Sequence, residues 1–215
     1  MAFQAKATVI NMKIVLASSN KHKIAELRAI LSRVLDMPEL EVITLSEAGI
    51  DTEIEENGDS FDENALIKAR VAASTGMIGV ADDSGLVVNA LNGEPGIYSA
   101  RYAGEHGNDL ANNNKLLENL KDKKDRSAYF ACSIACVFPD GSEPIVVQGK
   151  IDGEILSAPR GEGGFGYDPL FWVDSLGKTL SEVEPSVKNS ISHRANALVK
   201  FSDEFKKRMA EKASE

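Results

Sequence analysis

The chain has 215 residues, 43% hydrophobic and 27% charged, enough for one soluble domain or two small lobes with a buried core. It carries 24 Lys plus Arg against 33 Asp plus Glu, a formal charge of −9, which argues against a basic surface for nucleic acid but not against a local pocket for one phosphorylated small molecule. No apolar run approaches the roughly 20 residues of a membrane span, and residues 1–12 lack the apolar stretch of a signal peptide, so they read as an N-terminal extension.

Residues 13–17 (KIVLA) read as a short buried strand that runs through Ser18-Ser19-Asn20 into a helix starting at Lys21. Ile24, Leu27, Leu31 and Val34 share one face of that helix, and Asn20 or Ser19 suits its N-cap. Residues 41–45 (EVITL) suit a second strand. Ser60 and Glu63 form a capping box that starts the second helix near Phe61, and Gly76 suits its end. The strand at 77–81 (MIGVA) leads into Asp82-Asp83-Ser84-Gly85, after which LVVNAL continues extended and 92–96 (NGEPG) turns. Asn108 or Asp109 caps a third helix, with Leu110, Leu117 and Leu120 expected inward.

The next quarter is rich in strands. AYFACSIACVF and EPIVVQGKIDGEI flank PDGS, a hairpin signal. The two cysteines, Cys132 and Cys136, lie about 13 Å apart along that strand, too far for a disulfide, and suit buried thiols in a reducing cytoplasm. A glycine-rich loop at 161–169 (GEGGFGYDP) precedes a strand, LFWV. The last helix is expected from about Ser190, with Ile191, Ala195, Leu198, Phe205 and Met209 on one face. Alternating strands and helices followed by clustered strands predict an α/β or α+β fold with a mixed sheet.

Four clusters can carry chemistry. Ser18 to Lys23 lies at a strand-to-helix junction, where free N–H groups and the helix dipole favour an anion; the alternative is an ordinary helix start. Asp82 and Asp83 follow a buried strand, where ligands bind in α/β sheets and where one or two carboxylates suit Mg²⁺; the alternative is a polar turn. Only one of the two is expected to face the site, because successive strand residues point opposite ways. The glycines of GGFGYD let backbone approach a ligand, and Phe165 and Tyr167 can stack on a base or fill the core. Lys188, His193 and Arg194 form the densest donor cluster outside the tail.

Taken in order, LASSNKHKIAEL, ENGDSFDENALIKA, ADDSGLVV, GEPGIYSARYAG, GGFGYDPLF and SHRANAL resemble the inosine triphosphate pyrophosphatase family, from about Lys13 to Leu198. Ser18-Ser19-Asn20 stands where that family usually has Thr-Gly-Asn, so Ser19 replaces a glycine. The resemblance implies an elongated, two-lobed α/β fold with a long mixed β-sheet flanked by helices and a central cleft. It implies one domain over 13–211, with 212–215 as a tail. The implied reaction is Mg²⁺-dependent hydrolysis of ITP, dITP or XTP to the monophosphate and pyrophosphate, by a cytoplasmic homodimer acting on free nucleotides, not on nucleic acid or membrane.

Carried over by motif, Ser18, Ser19, Asn20, Lys23 and Lys68 would hold the triphosphate, and Ser84 would touch the substrate. Glu56 and Asp83 would hold the metal, with Asp83 also the catalytic base. Phe165, Gly166, Tyr167, Asp168, Lys188, His193 and Arg194 would form the base pocket. Positive charge is expected to gather in one cleft, at Lys21, Lys23, Lys68, Lys188, His193 and Arg194, with Glu56 and Asp83 among it. The alternatives are a pyrophosphatase for other modified nucleotides and a non-catalytic nucleotide-binding protein on the same scaffold.

Overall fold

The computed structural model describes residues 12–214. Residues 1–11 of the expected extension and Glu215 of the tail lie outside the described residues, whereas Met12 opens the first strand.

The elements are β1 (Met12–Leu16), α1 (Lys21–Leu35), β2 (Leu40–Thr44), α2 (Phe61–Ala73), β3 (Ile78–Val88), α3 (Asp109–Asn119), β4 (Ser127–Val137), β5 (Ile145–Ile155), β6 (Phe171–Val173), β7 (Lys178–Thr179), α4 (Pro185–Ile191) and α5 (His193–Lys212). Seven strands form one sheet in the order β2-β1-β3-β4-β5-β6-β7. The pairs β1–β2 and β1–β3 are parallel and the rest antiparallel. It is the mixed α/β sheet that the alternation of elements predicts.

Helices cover both faces. Leu27, Ile30 and Leu31 of α1 and Phe201 and Phe205 of α5 pack with Ile14, Val80 and Ile134. On the opposite face, Ala65, Ala69 and Ala72 of α2 lie against Val15, Ala81 and Ala135. The far ends of β3, β4 and β5 join a separate core that holds Leu86, Phe130, Tyr167, Leu170 and Phe171. The sheet is thus packed on both faces at one end of its long strands and carries a third cluster at the other.

Local signals account for the helix starts. The Asn20 side chain accepts from the amides of His22 and Lys23 at 3.0 and 3.1 Å, and Ser60 accepts from Glu63 N–H at 3.2 Å. Asp82 to Gly85 neither end a strand nor make a turn. β3 runs through them, because β4 supplies a backbone partner at each step from Asp82↔Ile134 to Gly85↔Ala131. Leu110, expected inward, is 73% exposed; Leu116 fills the core instead.

The last helix is broken at Ser192, whose backbone is extended and whose hydroxyl caps α5 through Ala195 N–H at 3.2 Å. Lys188 therefore sits on α4, a different helix from His193 and Arg194. Cys132 and Cys136 are buried and unpaired, as the spacing predicts.

One close approach fixes α5 to the sheet. A Cβ on Gly149 of β5 would lie 2.2 Å from the Ala197 nitrogen and 2.4 Å from the His193 carbonyl oxygen, both backbone atoms that cannot rotate away. Gly149→Ala is expected to destabilise the protein by about 1–3 kcal/mol or more, read as a lower denaturation midpoint with an unchanged urea slope.

Candidate active site

β1 is the point where the chain order reverses: β2 lies on one side of it and β3 on the other. Helices α1 and α2 lie on opposite faces, so the crevice beyond the carboxyl end of β1 is where open α/β sheets bind ligands. β1 stops at Leu16, and its last backbone contact to β3 is Ala17 N–H to the Val80 carbonyl at 2.9 Å. Past Val80 that edge of β3 has no strand partner until the bridge Val87↔Pro95, and Asp82 and Asp83 lie in this gap.

Asp82 and Asp83 are both buried. They point to opposite faces, but cations reach each side of the open edge. Asp82 is 1% exposed; its Oδ2 accepts from Arg194 Nε at 3.2 Å and Ser84 Oγ at 3.1 Å, and Lys23 Nζ lies 3.4 Å away. Burial pushes this carboxyl up, but the charges of Lys23, Arg194 and Lys68 outweigh it and hold Asp82 well below the usual carboxylate range.

Asp83 takes the other side. Lys68 Nζ bridges Asp83 Oδ1 and Glu56 Oε2, each at 3.0 Å. Burial pushes the Asp83 carboxyl up to about 6 against the pull of Lys68. Glu56 is less enclosed, and although burial raises it, Lys68 prevails and lowers it. Lys68 itself is held protonated: burial disfavours its charge, and Asp83, Asp82 and Glu56 overcome that.

A second group of side chains extends from Arg194. Its Nη1 donates to Glu26 at 2.9 Å and its Nη2 to Ser84 at 2.7 Å. Lys188 Nζ reaches Glu26 at 2.8 Å and Asp168 at 2.5 Å. Asp168 also accepts Phe165 N–H at 2.9 Å. Lys188 Nζ and the Arg194 guanidinium lie 4.4 and 5.4 Å from the centre of the Phe165 ring, and His22 stacks on that ring at 5.3 Å.

Glu26 is the functional candidate that the motifs did not mark. It lies on α1 three residues beyond Lys23, so the two share a face; a helix acid one turn past an anion-site lysine is the signal that finds it.

Some expected residues sit elsewhere. Tyr167 is 4% exposed, belongs to the distal core and donates its hydroxyl to the Ser99 carbonyl at 2.8 Å, so its ring offers no face to a base. His193 is buried and stacks on Phe130 at 4.8 Å; burial and then the charges of Arg194 and Lys188 keep it neutral. Its Nδ1 has no partner among the described residues. Gly166 is tied to α3, and Ser19 and Lys21 are exposed. Ser18 Oγ accepts from Asn20 N–H at 3.3 Å. Because Asn20 already engages the amides of His22 and Lys23, an anion here would be met mainly by side chains.

The charge of the cleft differs from the expected positive pocket. Lys23, Lys68, Lys188 and Arg194 face Glu26, Glu56, Asp82, Asp83 and Asp168, four cations against five carboxylates. A polyanion therefore needs an added cation. Asp82 Oδ1 and Asp83 Oδ2 are buried oxygens with no partner among the described residues. No group of three or more His, Cys, Asp or Glu forms a metal cage among the described residues. Carboxylates in ones and twos, completed by phosphate oxygens, are the donor set of Mg²⁺, and Glu56 with Asp83 fit it.

Known proteins share this fold. The solved Ham1 protein of Staphylococcus aureus superposes with a TM-score of 0.81 at 45% identity, covering 91% of this chain and 99% of that one. The nucleoside-triphosphatase / dITP/XTP pyrophosphatase structure of Mycobacterium abscessus gives 0.71 at 45% identity, over 88% of this chain and 98% of that one. A dITP/XTP pyrophosphatase of Clostridium perfringens is 51% identical over 203 residues, covering 90% of this chain and 97% of the relative. The sequence pattern of the Ham1 family matches residues 14–204, and with sheet and near full-length identity in agreement, the chain belongs to the Ham1 family.

Proposed function

We propose that this chain hydrolyses the non-standard purine nucleoside triphosphates ITP, dITP and XTP to the monophosphate and pyrophosphate, with Mg²⁺, as a cytoplasmic homodimer acting on free nucleotides. Residues 13–211 serve as one two-lobed unit for this reaction. The observation that carries the reading is one continuous chain of ion pairs: Lys23–Asp82–Arg194–Glu26–Lys188–Asp168. It joins a phosphate end beside Glu56, Lys68 and Asp83 to a base end beside Phe165. The Clostridium perfringens relative, a dITP/XTP pyrophosphatase, points the same way.

In this scheme Ser18, Asn20, Lys23 and Lys68 hold the triphosphate, and Glu56 and Asp83 hold Mg²⁺. The metal, when bound, neutralises phosphate charge and makes a nearby water more acidic. Asp83 would orient the attacking water and accept its proton as general base. Lys68, bridging Asp83 and Glu56, keeps both carboxylates aimed at one point.

At the base end, Arg194 uses three of its five N–H groups within the protein, which leaves two for a substrate. Hypoxanthine and xanthine present an O6 acceptor there, whereas adenine presents an amine whose hydrogens would oppose the guanidinium. A mismatch leaves buried groups unpaired, which is how such sites discriminate.

The test is pyrophosphate release from ITP, XTP and the four standard triphosphates, with Mg²⁺ and with EDTA. Turnover of ITP and XTP well above ATP, lost in EDTA, is expected. Equal rates on ATP and ITP would overturn the reading. Tight ITP binding without turnover would favour a non-catalytic binding protein.

A further inference from the structure

The loop that carries Phe165 and Asp168 is braced internally and gripped from outside. Internally, Phe165 N–H reaches the Asp168 carboxylate at 2.9 Å, and Asp168 N–H reaches the Phe165 carbonyl at 3.2 Å. From outside, both polar groups of Gly166 are taken by one helix: its N–H donates to Asp109 Oδ2 at 2.7 Å, and its carbonyl accepts from Asn113 Nδ2 at 2.9 Å. Asp109 and Asn113 are four residues apart on α3 and therefore share a face. Gly166 has φ +61°, in the left-handed region that favours glycine.

Asn113 pays for this grip. A carbonyl can be met only by the NH₂ end of the amide, so the Gly166 contact fixes which way the side chain lies. Its Oδ1 is then left buried with no partner among the described residues. Leaving a buried acceptor unmet is unfavourable, and alanine would serve the helix better at this position. The side chain is thus poorly explained by the stability of α3 and well explained by what it holds.

We infer that Asp109 and Asn113 are positioning residues for the purine. By fixing the Gly166 peptide, they set the Phe165 ring against Lys188 and Arg194 while the phosphate end of the cleft is built from other elements. The inference rests on the proposed function and deepens it. It assigns part of base recognition to a helix that contributes no side chain to the ion-pair chain.

The experiment compares the full-length chain with Asn113→Ala, Asp109→Ala and Asp109→Asn. Steady-state hydrolysis of ITP, competitive inhibition by inorganic tripolyphosphate and thermal unfolding are measured on each. Asn113→Ala is expected to raise KM for ITP about 3- to 10-fold with kcat changed less than about 2-fold. Inhibition by tripolyphosphate, which has no base, stays as in wild type, and the melting temperature is unchanged or higher. Asp109→Ala shows the same KM rise. Asp109→Asn keeps an acceptor for the Gly166 N–H and stays near wild type.

Unchanged KM in both alanine variants overturns the inference. So does equal weakening of ITP and tripolyphosphate, which marks a general loosening. Failure of the underlying reading looks different: wild type itself then turns over ATP as fast as ITP, and the inference falls with it.

Discussion

Asp83→Asn is expected to lower kcat on ITP by about 10²- to 10⁴-fold, the range for loss of a positioned base, in a protein that stays folded. The amide keeps the shape of the side chain and an oxygen that can accept from Lys68, so the contact at 3.0 Å survives in neutral form. What disappears is the ability to take a proton and to offer a charged oxygen to a metal. Glu56 still pairs with Lys68 in the variant, so the fold is kept. Burial raises the Asp83 carboxyl to about 6, above its unfolded value, so the folded state binds this proton more tightly. Stability from this group therefore declines as pH rises from about 4 to about 6. A single-turnover assay at pH 7.5 beside a thermal melt separates the two effects. Activity within a few-fold of wild type would remove Asp83 from the base role, and a large drop in melting temperature would make the loss structural.

The parts of the fold that local chemistry specifies were legible in the sequence. The Asn20 cap, the Ser60 cap and the long hairpin of β4 and β5 all form where their residues predict, although Glu63 reaches back to Asp59 N–H and not to Ser60 N–H. What escaped was set by partners distant in the chain. Asp82 to Gly85 carry turn-like residues, yet they stay extended because β4 pairs with them about 50 residues later. Tyr167 could stack on a base or fill the core, and only the folded chain, with its hydroxyl donating to the Ser99 carbonyl, places it in the distal core.

The site shows the same division. Motifs pointed to Lys23, Lys68, Asp83, Lys188 and Arg194, and the structure brings them into one cleft. They did not reveal that each cation is already matched by a carboxylate, because Glu26 looks like any helix-surface acid until Lys188 and Arg194 fold onto it. The expected basic pocket is therefore a balanced network. A triphosphate would have to be met there by an added cation and aimed donors rather than by net charge.

That balance decides how Arg194 should be probed. Arg194→Ala would leave Asp82, 1% exposed, and Glu26 without their shared cation, and breaking a buried pair in this way costs about 3–5 kcal/mol. Its loss of activity would say little about the base. Arg194→Lys keeps the charge between Asp82 and Glu26 but removes the planar fork that meets Asp82, Ser84 and Glu26 at once. A lysine engaged by the two acids has no fixed donor left for O6. The expected result is a folded protein whose preference for ITP over ATP, as a ratio of kcat/KM, falls about 10- to 100-fold, the loss of one charge-assisted hydrogen bond. The fall should come chiefly from ITP, since ATP gains nothing from the missing fork. If Arg194→Lys keeps the wild-type ratio, O6 is read by another donor, and neutral His193, whose Nδ1 has no partner among the described residues, becomes the group to test.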